Sequence, residues 1–181
     1  LIGAGKVGRH TAEYLKYFNP SLKSIDYQDI GVKGPGFEAP LNELGLHAQY
    51  VETPDLSMYD TIILATTTTQ CLIHPDNIAL IKPGTMIVSL CTSSQSGEIS
   101  KEIFAREDVN IFLDYELSKT FTEDMRKIND LGYLDRAICY HEILQGKELP
   151  DLDSRINLVR LTGTPLQNVA VIDIMLGMNK I

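Results

Sequence analysis

The sequence is poor in cysteine and in basic residues, and it has no long apolar run. Its 181 residues include three cysteines, which are widely spaced and predict neither a disulfide framework nor a metal knuckle. No stretch approaches the roughly 18 uninterrupted apolar residues of a membrane span. Lysine and arginine total 16 against 24 acidic residues, and the formal charge of -8 disfavours binding to a nucleic-acid backbone. We therefore expect a cytoplasmic protein with reduced thiols and with neither a nucleic-acid nor a membrane partner.

The composition is that of an ordinary globular domain. Hydrophobic residues make up 44% of the chain and charged residues 22%, which excludes collagen-like and disordered chains. A chain of this length buries roughly 70% of its unfolded surface, so its core can be stable without disulfides or bound metals. The four histidines never pair at metal-ligand spacing, and no metal site is predicted.

The chain opens inside a glycine motif, Leu-Ile-Gly-Ala-Gly-Lys-Val-Gly. This is a G-x-G-x-x-G pattern that follows two apolar residues typical of the end of a buried strand. Gly3 permits a tight strand-to-helix turn, Gly5 lets a pyrophosphate approach the backbone, and Gly8 lets the helix pack closely on the sheet. Lys6 and Val7 lie within the pattern, at the N-terminus of the predicted helix, where free N–H groups favour phosphate. The motif predicts dinucleotide binding.

An acidic residue near the end of the next strand is typical of such motifs, because its carboxylate binds the ribose hydroxyls. Asp26 lies 18 residues after Gly8 (26 − 8), near the end of a strand predicted at 23–27, and we predict this role for it. Asp29 is an alternative. A carboxylate there would repel a 2′-phosphate, and no arginine lies within several residues to compensate. NAD(H) is therefore favoured over NADP(H) as the cofactor.

The remaining chain alternates between strand and helix patterns. Strands are predicted at 48–51, 60–66, 85–90, 109–113 and 156–161. Helices are predicted after the glycines and at 41–46, 75–81, 98–106, 121–131, 135–145 and 165–176. Such alternation indicates an α/β fold with a doubly wound parallel sheet of the Rossmann type.

Three loops leave the carboxyl ends of these predicted strands, at 66–70, 91–97 and 162–165. Ligands of parallel sheets lie beyond those ends, and small polar residues there donate hydrogen bonds without filling the cleft. We therefore predict that Thr66, Thr67, Leu90 and Cys91 contact the cofactor.

The order of these segments resembles the ornithine cyclodeaminase and mu-crystallin family. The matching stretches are 3–8, 62–69, 81–84, 98–99, 109–115 and 163–173. The glycine motif, Lys-Pro-Gly and Gly-x-x-Leu-Gln are the distinctive ones. The resemblance implies that residues 1–164 form the nucleotide-binding domain of a two-domain protein. It also implies that an N-terminal domain for substrate and dimerisation is missing from this chain, and that a helix at 165–181 returns to it.

The resemblance implies hydride transfer between NAD(H) and an amino acid or cyclic imine, in a homodimer. The acidic catalytic residue of cyclodeaminases aligns with Ser93, and a serine cannot act as a carboxylate base at neutral pH. This favours a ketimine reductase or amino-acid dehydrogenase. The alternatives are a true ornithine cyclodeaminase that releases ammonia, and a non-catalytic mu-crystallin-like protein that binds nucleotide. Arg160 is predicted to bind a substrate carboxylate; the alternative is a solvent-exposed arginine at a strand edge.

Two other patterns are similar to catalytic motifs, but we predict that their residues have structural roles only. Tyr115 and Lys119 have the Tyr-x-x-x-Lys spacing of short-chain dehydrogenases, but the glycine spacing and the missing upstream serine disagree with that family. His141 and Glu142 are adjacent on a predicted helix, where neighbouring side chains point in different directions and cannot form an acid–base pair.

Overall fold

The computed structural model describes residues 1–31, 33–90 and 97–163. The helices are Lys6–Phe18 (α1), Pro35–Glu43 (α2), Pro75–Ile78 (α3), Lys101–Phe104 (α4), Ser118–Phe121 (α5), Glu123–Asp130 (α6) and Tyr140–Leu144 (α7). The strands are Ser24–Tyr27 (β1), His47–Tyr50 (β2), Thr61–Leu64 (β3), Met86–Ser89 (β4), Val109–Leu113 (β5), Ile138–Cys139 (β6) and Ile156–Arg160 (β7). A 3-10 turn spans Leu56–Met58.

The strands are parallel, and Ile2 connects them into one continuous sheet. Five strands pair in the order β3-β4-β7-β5-β6, and two more pair as β1-β2. Ile2 joins the two groups, because it forms parallel bridges with Gln28 after β1 and with Leu64 of β3. The order across the molecule is therefore β2, β1, Ile2, β3, β4, β7, β5, β6. The predicted doubly wound parallel α/β sheet is confirmed.

The strand order reverses between Ile2 and β3, and doubly wound sheets have their ligand crevice at such a reversal. From Ile2 the chain winds to one side through β1 and β2, then returns to β3 on the other side. In doubly wound sheets the ligand lies at this switch point, outside the carboxyl ends of the two strands. Here those ends are the glycine turn after Ile2 and the threonine run after β3.

Two buried apolar clusters support the two sides of the crevice. One joins β1 and β2 to α1 and α2, with Tyr27 and Phe37 at its centre and their rings 4.4 Å apart. The larger cluster packs β3, β4, β5 and β7 against α3, α4 and α6. Each side of the crevice therefore has a core of its own.

Several predicted helices differ from the structure. The segment predicted as a helix at 135–145 contains the buried strand β6 and only then α7. α2 begins at Pro35 and not at 41, since a proline in the first helical turn lacks only an N–H that has no partner there. The helix predicted at 98–106 is confined to α4, and the one predicted at 121–131 begins as α6 at Glu123. The predicted segment 165–181 lies outside the described residues.

Within the described ranges, no helix is long and apolar enough to cross a membrane. The same residues contain no group of three or more histidine, cysteine, aspartate or glutamate side chains that could hold a metal ion.

Candidate functional site

Two glycines of the opening motif are required by the fold itself. Gly3 has a φ of 98°, a conformation that side chains rarely adopt, and a Cβ there would collide with the carbonyl of Ala65. A Cβ at Gly8 would collide with the carbonyl oxygen of Gly3, because α1 lies directly against the turn. The roles predicted for Gly3 and Gly8, a tight turn and close helix packing, agree with these contacts.

Gly5 has no such explanation within the protein. Its φ is -67°, which any residue adopts, and a Cβ built there meets no atom within 4 Å. Gly5 is the N-cap of α1, and no side chain caps that end of the helix. Lys6 and Val7 follow in the first turn, where Val7 is 57% exposed. An open, uncapped helix N-terminus of this kind fits a pyrophosphate, which a side chain at Gly5 would obstruct.

Asp29 is the carboxylate beside the glycine turn. One of its oxygens, Oδ2, accepts a hydrogen bond of 2.7 Å from the backbone N–H of Ala4. The other, Oδ1, accepts one of 2.7 Å from Gly31. Asp29 follows the last bridged residue of its strand, Gln28, so it lies at the carboxyl end of the sheet. This is the position from which an acidic side chain reaches a ribose.

Asp26, for which the sequence predicted that role, lies elsewhere. Side chains alternate between the two faces along a strand, so Asp26 and Tyr27 point in opposite directions. Tyr27 packs in the cluster that contains α1, and Asp26 instead accepts a hydrogen bond of 2.8 Å from the Tyr59 hydroxyl. Burial and Asp26 together raise the pKa of Tyr59 to about 12. This placement argues against a ribose contact for Asp26 and favours Asp29.

Thr66, Thr67 and Leu90, which were predicted to contact the cofactor, lie at the carboxyl ends of β3 and β4. We call this side of the crevice, opposite the glycine turn, its far wall. Ala65 donates a hydrogen bond of 2.8 Å to the Ile2 carbonyl, which aligns the ends of the two strands. Thr66 is half-buried and Thr67 exposed just beyond that point. Leu90, also half-buried, donates a bond of 2.9 Å to the Leu64 carbonyl. Predicted site residues Cys91 and Ser93 lie outside the described residues.

Arg160 does not occupy either position that the sequence suggested. It ends β7, an interior strand between β4 and β5, and only 1% of its surface is exposed. Its guanidinium donates a hydrogen bond of 2.8 Å to the Ser89 hydroxyl and lies 3.4 Å from an Asp124 carboxylate oxygen. The solvent-exposed alternative is therefore wrong, and these buried contacts argue against direct binding of a substrate carboxylate.

The sequence interpretation missed two buried carboxylates near the carboxyl ends of the strands. Glu98, which is 0% exposed, accepts hydrogen bonds from the hydroxyls of Thr66 and Ser89. Asp114 follows β5 and accepts bonds of 2.7 and 2.9 Å from the backbone of Thr162 and Gly163. Both residues lie in stretches that match the family, at 98–99 and 109–115, but no site role was predicted for either. Asp114 directly follows an apolar strand, and Glu98 resembled an ordinary helix-start residue.

Lys119 and Glu142, which belong to the two alternative catalytic patterns, form contacts with neighbouring residues in the chain. Lys119 pairs with Glu116 at 2.9 Å. Glu142 accepts a bond of 2.8 Å from the backbone of Cys139 at the start of α7, and its other oxygen binds Lys147. These contacts, above all the bond to Lys147, lower the pKa of Glu142. Glu142 therefore acts as a helix cap.

Comparison with solved structures finds the same fold in two other proteins. A probable ornithine cyclodeaminase from Bordetella pertussis Tohama I matches with a TM-score of 0.77 and 19% identity, over 95% of this chain and 55% of the other. The iminosuccinate reductase of Paracoccus denitrificans, solved in complex with NAD+, matches with a TM-score of 0.75 and 19% identity, over 95% of this chain and 53% of the other. The predicted resemblance is confirmed at the level of the fold.

No protein-family model matches the chain, and no curated protein matches it. The chain spans about half the length of the two structures. Their likeness therefore shows a shared Rossmann-type architecture.

Proposed function

We propose that this chain is the nucleotide-binding domain of an NAD(H)-dependent oxidoreductase of the ornithine cyclodeaminase family. The observation that carries the proposal is Gly5, a glycine that the protein itself does not require. It lies at an uncapped helix N-terminus and at the switch point of a doubly wound sheet. The ligand that explains a missing side chain at that point is a pyrophosphate.

Three parts of a dinucleotide have counterparts in the described residues. The N–H groups at the start of α1 would bind the pyrophosphate, and Asp29 would accept hydrogen bonds from the adenosine ribose. Thr66, Thr67 and Leu90 line the wall toward which the nicotinamide half would extend. When bound, the nicotinamide supplies or accepts the hydride, and the protein's part is to hold and orient it.

The NAD(H) preference rests on Asp29 in this arrangement, because its carboxylate would repel a 2′-phosphate. Asp29→Asn keeps an oxygen that can accept the Ala4 hydrogen bond but removes the charge. We expect the ratio of NADPH to NADH affinity to rise about tenfold in this variant, as for the loss of a charge-assisted contact. Asp26→Asn is the matched control and should leave the ratio unchanged. A ratio that moved with Asp26 and not with Asp29 would restore the original assignment.

The proposed substrates are amino acids and cyclic imines, in line with the sequence resemblance. The direct test is made on the purified full-length protein. It combines titration with NADH, followed by fluorescence, and turnover assays with cyclic ketimines and amino acids. Oxidation of NADH by a ketimine, or reduction of NAD+ by an amino acid, supports the proposal. Ammonia release from ornithine would identify a cyclodeaminase instead. Tight NADH binding without any turnover would indicate a nucleotide-binding protein, and no NADH binding would refute the proposal.

We further propose that the protein acts in the cytoplasm as a homodimer whose contacts lie outside the described residues. The cytoplasmic location follows from the few, widely spaced cysteines, and the homodimer follows from the family resemblance. Light scattering on the purified protein tests the second, and a monomer at micromolar concentration would contradict it.

A further inference from the structure

Glu98 is buried at the carboxyl ends of β3 and β4. Its Oε1 accepts a hydrogen bond from the hydroxyl of Thr66, and its Oε2 accepts one of 3.2 Å from Ser89, the last residue of β4. Both Glu98 and Ser89 are 0% exposed. One carboxylate therefore connects the ends of two adjacent strands.

The main chain of Glu98 also holds the other end of the threonine run. Its carbonyl accepts hydrogen bonds of 2.7 Å from Leu72 and 2.9 Å from Ile73. Residues 66–72 are thus fixed at the start by the Glu98 side chain and at the end by its backbone. This segment forms the crevice wall that contains Thr66 and Thr67.

The contact with Thr66 orders the loop beyond the hydroxyl itself. Thr66 Oγ1 donates to Glu98 and accepts a hydrogen bond of 3.2 Å from the backbone N–H of Thr68. The Thr68 hydroxyl in turn accepts one of 3.0 Å from Gln70. The orientation that Glu98 imposes on Thr66 is therefore passed along the loop as a short chain of hydrogen bonds.

A buried carboxylate is costly unless its charge is compensated, and here the compensation is indirect. Ser89 donates to Glu98 and accepts a hydrogen bond of 2.8 Å from Arg160. The guanidinium lies one hydroxyl away from the carboxylate and lowers the cost of burying it. An apolar side chain would avoid that cost, so a carboxylate at this place indicates a specific purpose.

We propose that Glu98 is a positioning residue for the dinucleotide, which acts by fixing the Thr66 hydroxyl and the loop at 66–72. This inference rests on the proposed NAD(H) function and deepens it. The relevant property is the reach of the side chain: its two terminal polar atoms span the distance between Thr66 and Ser89. A preformed wall spares the ligand the entropic cost of ordering the loop when it binds.

Two conservative substitutions separate reach from charge. Glu98→Gln keeps the length and an oxygen that can accept from Thr66, while Glu98→Asp keeps the charge but is one methylene too short to span both hydroxyls. We expect the Gln variant to bind NADH within about threefold of the unsubstituted protein, and the Asp variant to bind about tenfold more weakly. Dissociation constants are measured by NADH fluorescence, with thermal unfolding recorded for each variant.

Asn110→Ala is the matched control for a loss of stability that is unrelated to the NADH site. Asn110 is also buried, and it donates a hydrogen bond of 2.9 Å to Asn157 within the same sheet, near the start of β5 and β7. We expect this variant to lose thermal stability and keep the full NADH affinity. If Asn110→Ala weakened NADH binding as much as Glu98→Asp, or if the Asp variant bound as tightly as the Gln variant, the inference would be overturned.

Hydrogen exchange tests, without any ligand, whether Glu98 holds the loop at 66–72 in place; we call this pair of contacts the clamp. In the ligand-free protein, Glu98→Asp should speed amide exchange at Thr68 and Gln70, and neither Glu98→Gln nor Asn110→Ala should do so. Unchanged exchange in the Asp variant would overturn the inference even if NADH binds. If the unsubstituted protein bound no NADH, the proposed function would fail, while accelerated exchange in the Asp variant alone would still establish the clamp.

Discussion

At the scale of single residues, the three glycines of the opening motif serve different purposes. Gly3 and Gly8 are required by neighbouring backbone atoms, while Gly5 faces open space. We expect Gly5→Ala to cost less than about 1 kcal/mol of unfolding free energy, the scale of an N-cap change. The same variant should weaken NADH binding at least about tenfold, because its methyl group would occupy the space of the pyrophosphate.

Gly3→Ala is the contrasting variant. It forces a side chain into a positive-φ conformation and against Ala65, so we expect it to lower the unfolding free energy by about 1–3 kcal/mol. Urea denaturation and NADH titration on both variants separate the two effects. Equal NADH affinity in Gly5→Ala and the unsubstituted protein would show that the turn is not the phosphate site.

The two aspartates show what sequence spacing could and could not predict here. Spacing from the glycines identified a carboxylate in the right region, but both Asp26 and Asp29 satisfied it. The choice depends on where the strand ends and which face each side chain takes. Those features depend on the bridge between Ile2 and Gln28 and on packing against α1, and both are tertiary contacts.

Cys139 provides a prediction about pH. Burial and the Glu116 carboxylate raise the pKa of its thiol from 9.0 to about 12. The native state therefore favours the protonated thiol, and this contribution to stability is present below pH 9 and lost as the pH rises toward 12. Because only the thiolate reacts, we expect iodoacetamide at pH 8 to label exposed Cys71 well before Cys139, as mapped by mass spectrometry. Preferential labelling of Cys139 in the folded protein would contradict this.

At the scale of elements, β7 and α6 are joined by the buried contact between Arg160 and Asp124. Arg160→Met fills similar space but leaves the Asp124 carboxylate and the Ser89 hydroxyl without their arginine partner. We expect it to lower the unfolding free energy by about 3 kcal/mol, measured by urea denaturation. A substrate-binding arginine behaves differently: its loss would raise KM and leave stability near the original value.

Elements with a strong local pattern were predictable, and those shaped by their surroundings were not. α1 and β5 lie where helical spacing and an apolar run placed them. β6 was hidden inside a predicted helix because its two residues, Ile138 and Cys139, are too few to show an alternating pattern. They become a strand through pairing with Phe112 and Leu113, which are distant in sequence.

At the scale of the whole molecule, the crevice is a product of strand order. The sequence predicted parallel strands joined by helices, and that is what the structure contains. It did not predict that β7 inserts between β4 and β5, which carries Arg160 into the interior beside Ser89. Local sequence patterns do not predict the order of strands in the sheet, because that order depends on how all the strands and helices pack together.

Ligand binding at this crevice should stabilise the entire fold, because the site combines residues from both sides of the switch point and is lost on unfolding. At an NADH concentration of 100 times the dissociation constant, the expected gain is about 2.7 kcal/mol, or a rise of roughly 5–10 °C in Tm. Gly5→Val should unfold at nearly the same temperature with and without NADH, since its branched side chain blocks the turn. Differential scanning calorimetry on the two proteins measures both shifts. An NADH-dependent rise of the same size in Gly5→Val would place the ligand somewhere other than this turn.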